Sequence, residues 1–359
     1  PMLIQAEHYA NPSYIKKYPI LCYETICNKP KQIVGACFWH SFDHQRGYHP
    51  DPFYGGLMDV FRQPKYSYYM FKAQRSPRKE ERLFETGPVV YIAHEMTPFS
   101  GKDVTVYSNC DEVRLTFLKD GKTYTYNKPV VKEGMPSPVI TFSDVYDFMV
   151  DKAMSRKKKQ DEVLLRAEGL IDGKVVATHE VHPARRPEKV LLWVDNENVN
   201  LKADGSDFVT VVAAIADKNG NIKRLNNYYV KFHVEGEGRI LGDAGILANP
   251  APVKWGTAPV LIQSTLKPGK IKVTASVLFE GSQMPVSAVL ELESYPAAHP
   301  LVYSEKDAAL IAGSSSLQSA GTSTKSAVEL EQERILKVQN AQRLKEVEQQ
   351  QEDFGEKNK

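Results

Sequence analysis

The chain has 359 residues, a length that suits roughly two to three folding units at about 150 residues each. Hydrophobic residues make up 42% and charged residues 25%, ordinary for a chain that buries cores. The net charge of +2 gives no bulk field toward nucleic acid or anionic lipid, and no apolar run approaches the roughly 20 residues of a membrane helix, so neither partner is expected.

The chain opens on Pro1 with no basic-then-apolar leader, which reads as a processed or partial chain. Residues 1–6 form a short apolar run ending at Glu7, the pattern of a buried parallel strand. Residues 33–39 form a second such run, and the stretch between them is long enough for a crossover helix. A βαβ unit of this kind puts Glu7 and Trp39, followed by His40, Asp43 and His44, at C-terminal strand ends, where barrel active sites lie. Glu24, which also follows an apolar run, is a rival to Glu7, but its distance to Trp39 leaves little chain for a crossover helix. Cys22, Cys27, Cys37 and Cys110 are too few for a disulfide framework and lack CxxC spacing. They are expected as buried free thiols, with no metal and no cofactor. Residues 45–56 are dense in Pro, Gly, aromatic and ionisable side chains and predict a long ordered loop, a usual place for function. His49 and Asp51 lie in it. Pro64 then opens a helix, with Arg62 and Lys65 expected to pin the loop.

Residues 76–82 read as a charged linker. From 88 to 182 short alternating runs predict strands at 104–107, 113–117 and 163–167, with Asp-Gly hairpin turns at 119–122 and 171–174. The basic run within 154–161 reads as a solvated loop, and 182–187 as a second linker. Residues 189–295 alternate again, with strands predicted at 190–194, 208–215, 228–234, 271–278 and 288–292. About seven short strands in roughly 105 residues is the immunoglobulin-like sandwich pattern. Trp193 and Trp255 fall in it as core or edge residues, with a sugar platform as the sharper alternative. Residues 312–325 are rich in Gly, Ser, Thr and Ala, a flexible linker, and 326–352 have strong helix composition. The apolar stripe of that helix is thin, which suits a solvated or weakly self-associating element.

Residues 46–75, RGYHPDPFYGGLMDVFRQPKYSYYMFKAQR, resemble the end of the catalytic barrel in glycoside hydrolase family 2, the β-galactosidase-type family, and GLMDVFRQPK at 56–65 is the most specific block. PMLIQAEH at 1–8 is similar to the strand that carries the family's nucleophilic Glu. Residues 103–122 and 249–276 look like the family's accessory sandwiches. The resemblance implies a multidomain chain: the last two βα units of a (β/α)8 barrel at 1–76, β-sandwiches at 88–185 and 189–295, a linker at 296–325 and a helical tail at 326–352.

It further implies retaining hydrolysis of a β-galactoside of plant or algal origin, with an oligo- or polysaccharide as partner and a periplasmic or secreted location. That chemistry needs two carboxyls about 5–5.5 Å apart, a nucleophile and an acid/base. Glu7 matches the nucleophile. Trp39, Asp43, His44 and Asp51 are the candidates for binding the sugar. The family's acid/base lies on an earlier strand, and a whole barrel takes roughly 250 residues against roughly 75 here, so a C-terminal fragment lacking that acid is expected. The rival class is a non-catalytic carbohydrate-binding or adhesive sandwich protein, which has no use for a βαβ unit with a Pro-rich mouth loop.

Overall fold

The computed structural model describes residues 40–45, 53–78, 86–119, 121–131, 137–157, 163–195, 200–278 and 284–297. Glu7, Glu24, Trp39, His49, Asp51, Cys22, Cys27 and Cys37, both predicted barrel strands and the tail at 326–352 lie outside the described residues.

Among the described residues the first regular element is α1 (Tyr66–Lys72), which starts just after Pro64, with Lys65 as N-cap. Tyr66, Met70 and Ala73 share one face at i, i+4 and i+7, and all three are buried. That face packs on Tyr107, with Tyr91 at its edge. Burial of Met70 alone is worth roughly 1.5–3 kcal/mol. Tyr69 stacks on Tyr91 at 3.6 Å with the rings 5° from parallel.

Tyr107 belongs to β2 (Val104–Ser108), the middle strand of a sheet ordered β1-β2-β5, with β1 (Val90–Ile92) and β5 (Val139–Phe142) on its flanks. All five residues of β2 are buried, because α1 covers one face and a second sheet covers the other. That second sheet is ordered β4-β3-β6-β7: β3 (Glu112–Lys119), β4 (Lys122–Pro129), β6 (Leu164–Ile171) and β7 (Lys174–Val181). Val104, Val106 and Phe142 from one sheet meet Val113, Leu115, Phe117 and Leu165 from the other. Both expected hairpins are present. Ile171 pairs with Lys174, and Asp172 and Gly173 carry φ of 51° and 72°, the two left-handed residues a type I′ turn requires. The expected loop at 154–161 needs correction at its start. Met154 and Arg156 close the helix α2 (Phe148–Arg156), and Met154 is buried in the core beneath it, so apolar burial set the backbone there rather than the basic run.

The second sheet pair follows residues 182–188. One sheet is ordered β12-β14-β10-β8: β8 (Lys189–Val194), β10 (Phe208–Ala216), β12 (Gly238–Leu241) and β14 (Thr257–Ser264). The other is ordered β13-β11-β15-β16-β9, with β9 (Leu201–Ala203), β11 (Tyr229–Gly236), β13 (Ala251–Pro252), β15 (Gly269–Leu278) and β16 (Ala288–Pro296). Their shared core takes Val211, Ala213, Ile215 and Ile262 from the first and Phe232, Ile271, Val273 and Ala275 from the second. Cys110 is buried.

Among the described residues, two ion pairs and a backbone hydrogen bond help tie the two sheet pairs together. Arg224 reaches Glu95 at 3.0 Å. Arg185 reaches Asp151 at 2.6 Å through Nη2, and its backbone N–H donates to Asp217 at 3.0 Å. The first pair also carries two neutral histidines. His94 accepts the Met96 N–H at Nδ1, and its Nε2 faces the Gly101 carbonyl at 2.9 Å. His179 accepts the Ile92 N–H at Nδ1. Burial pushes both below the ordinary value of 6.5. The unfolded chain therefore takes up protons first as pH falls, and folding stability drops from about pH 6.5 downward until the folded-state values are passed. Thermal melts between pH 7.5 and about 5.5 should show a falling midpoint, and His179→Asn should flatten part of that fall. A midpoint constant across that window would contradict this account.

Candidate functional site

The site is built on two short segments, 40–45 and 53–65. Neither forms a regular strand; they are joined by single bridges, Phe42 to Met58 and His44 to Phe53. The Pro and Gly content removes ladder donors and favours such irregular backbone. The Asp43 N–H donates to the Met58 carbonyl at 2.9 Å, and the Lys65 N–H donates to the Leu57 carbonyl at 3.1 Å.

Asp43 is 5% exposed. Its Oδ1 accepts the Lys65 Nζ at 2.6 Å and the Gly56 N–H at 3.0 Å. Lys65 Nζ also donates to the Tyr54 carbonyl at 3.1 Å. The expected pinning role thus falls on Lys65, with Asp43 as its anchor. The other expected pin, Arg62, enters through its backbone: φ is 65°, and its N–H donates to the Asp59 carbonyl. Asp59 closes this turn by accepting the N–H groups of Phe61 and Gln63, each at 2.8 Å. Burial, more than any neighbouring charge, holds the Asp59 carboxyl above its ordinary value. His44 is half-buried, its ring 4.3 Å from that of His40 and 5.4 Å from Phe53.

Gly56 is where the two segments touch. A Cβ there would sit 2.2 Å from the Phe42 carbonyl carbon, 2.3 Å from the Asp43 nitrogen and 2.6 Å from the Met58 oxygen, all backbone. Gly56→Ala should therefore cost about 1–3 kcal/mol by forced backbone displacement. Faster amide exchange at residues 41–45 and 56–58 would report it; unchanged exchange would mean the segments can part without cost.

Opposite this loop lies the outer face of the β12-β14-β10-β8 sheet. Cross-strand pairing lines up Trp193, Val212 and Pro259 in one row and Thr210, Leu261 and Leu241 in the next. Between loop and sheet runs a cleft of about 660 Å³. Asp43, Tyr54, Phe61 and Lys65 line one side, and Trp193, Leu261 and Trp255 the other. Glu95 and Arg224 also line it, and Tyr66 hydrogen-bonds to Glu95. Burial raises the Tyr66 phenol far above its ordinary range, so it stays protonated and donates. Neither Glu95 nor Arg224 stands out in the sequence, since the pairing spans 129 positions and leaves no local pattern.

Residues 192–278 match Glycoside hydrolase family 2 C-terminal domain 5. The chain is 31% identical over 268 residues to a β-galactosidase of Thermoanaerobacter pseudethanolicus, covering 71% of this chain and 33% of that protein. It is 28% identical over 218 residues to a β-galactosidase of Thermoanaerobacterium thermosulfurigenes, covering 58% of this chain and 29% of that one. In fold it is similar to a β-glycosidase from Bacteroides vulgatus, with a TM-score of 0.52, 24% identity, and coverage of 71% of this chain and 30% of that one. The chain belongs to glycoside hydrolase family 2 and holds sequence of the family's C-terminal region. It spans about a third or less of the length of these curated relatives.

Proposed function

We propose that the protein to which this chain belongs hydrolyses β-galactosides, those of plant or algal polysaccharides among them, with net retention at the anomeric carbon. The observation that carries this reading is the 31% identity to a β-galactosidase over 268 residues. Glu7 attacks the anomeric carbon and displaces the leaving alkoxide, which an acid/base from upstream sequence protonates. Water, deprotonated by that same group, then releases the sugar and regenerates the Glu7 carboxylate. Trp39 forms a wall for the sugar ring, and His44 and Asp51 bind hydroxyls. Asp43 serves mainly through Lys65, holding the 53–65 loop against the segment that follows Trp39. Lacking the acid/base, the chain by itself does not turn over aryl galactosides.

A 2-deoxy-2-fluoro-β-galactosyl fluoride slows breakdown of a covalent intermediate more than its formation. Incubated with the full-length protein, it should leave one fluorogalactosyl group on the peptide that contains Glu7, read by mass spectrometry. A label on Glu24, or an unlabelled enzyme that releases product of inverted configuration, would overturn the assignment.

A further inference from the structure

We infer that the cleft between the 53–65 loop and the outer face of the β12-β14-β10-β8 sheet is a binding site for a saccharide chain. The choice of a galactose-based ligand rests on the reading above. The site itself rests on three observations. An antiparallel sandwich sheet ordinarily turns polar side chains outward. Here Trp193, Pro259 and Leu261 face outward, and all three line the cleft.

The second observation is Trp255. It carries a left-handed φ of 54°, a genuine outlier for so bulky a residue. The turn is nonetheless enforced. Gly256 follows at φ 84°, where a Cβ would press on Ile222 and the Lys223 carbonyl, and the Trp255 carbonyl accepts from Arg224 at 3.3 Å. The indole Nε1 is buried and has no hydrogen-bond partner among the described residues. Strain and an unmet donor on one side chain are features that gather at ligand sites.

The third is chemistry and continuity. Indole faces offer the flat apolar surface that the C–H face of a pyranose covers. Asp43 and Lys65, at the cleft's other side, belong to the loop that follows the predicted strand end at Trp39. The cleft thus adjoins the 53–65 loop, which the proposed function places beside the reacting sugar. The charged groups along it, Lys65, Glu95 and Arg224, favour a hydroxyl-rich occupant over an apolar peptide.

Calorimetry on the 359-residue chain tests this with galactose and a β-linked galactotetraose as probes. The tetraose should bind, and galactose at least about tenfold more weakly. Trp193→Ala and Trp255→Asn should each weaken tetraose binding by at least about tenfold. Asn accepts left-handed backbone, so the melting temperature of Trp255→Asn should hold and separate lost binding from lost fold. Absence of tetraose binding, or binding that neither substitution changes, would overturn the inference. So would an apolar dye that occupies the cleft and resists displacement by the tetraose. Failure here is distinguishable from failure of the catalytic reading, because labelling of Glu7 in the full-length protein does not involve the cleft.

Discussion

Lys65→Met should lower stability by about 3–5 kcal/mol, concentrated in the 53–65 loop. The Lys65 and Asp43 side chains are 11% and 4% exposed, so water cannot replace the missing ammonium. Removing it strands a buried carboxylate with the Gly56 N–H as its remaining donor at Oδ1. The penalty is mainly the cost of an uncompensated charge, not the intrinsic worth of the pair. A second substitution distinguishes the two: Asp43→Asn on the Lys65→Met background should restore much of the loss. Hydrogen exchange across residues 53–65, with thermal melts of single and double variants, reads both effects. Equal losses in the single and double variants would mean that the methylene stem of Lys65 matters more than its charge.

In the full-length protein, Glu7→Gln should lower kcat by at least about a thousandfold, roughly 4 kcal/mol of barrier, with little change in melting temperature. The amide cannot form the glycosyl ester on which the two-step route depends. Glu24→Gln should retain most activity. A Glu7→Gln enzyme of near-normal rate would remove Glu7 from the mechanism.

Several strand positions were legible where one face is buried and the other wetter. The alternation at 113–117 marks β3, whose residues alternate between buried and half-buried over most of its length. Asp172-Gly173 announced a hairpin because few other pairs accept two positive φ values. The strand β14 escaped notice because Pro259 lies inside it and breaks the usual composition. The helix α2 was hidden under a run of lysines, since its burial depends on Met154 meeting a core assembled from distant strands. At the site, Lys65 was recognisable as a pin, but its partner was not. Asp43 lies 22 positions away and read equally well as a ligand for sugar hydroxyls. Trp193 and Trp255 were visible as candidate platforms, yet only folding brings them to one cleft with Asp43.

The 182–187 segment has the composition of a connector that trypsin would cut after Arg185. Its backbone is instead held in place, with the Arg185 N–H on Asp217 and the guanidinium on a nearly buried Asp151. A protease must draw several residues out into an extended strand before it can cleave, and doing so here breaks the joint between the two sheet pairs. Limited digestion should therefore spare the Arg185–Arg186 bond. Cutting the gene at this apparent boundary would yield halves that each expose a face meant to be covered.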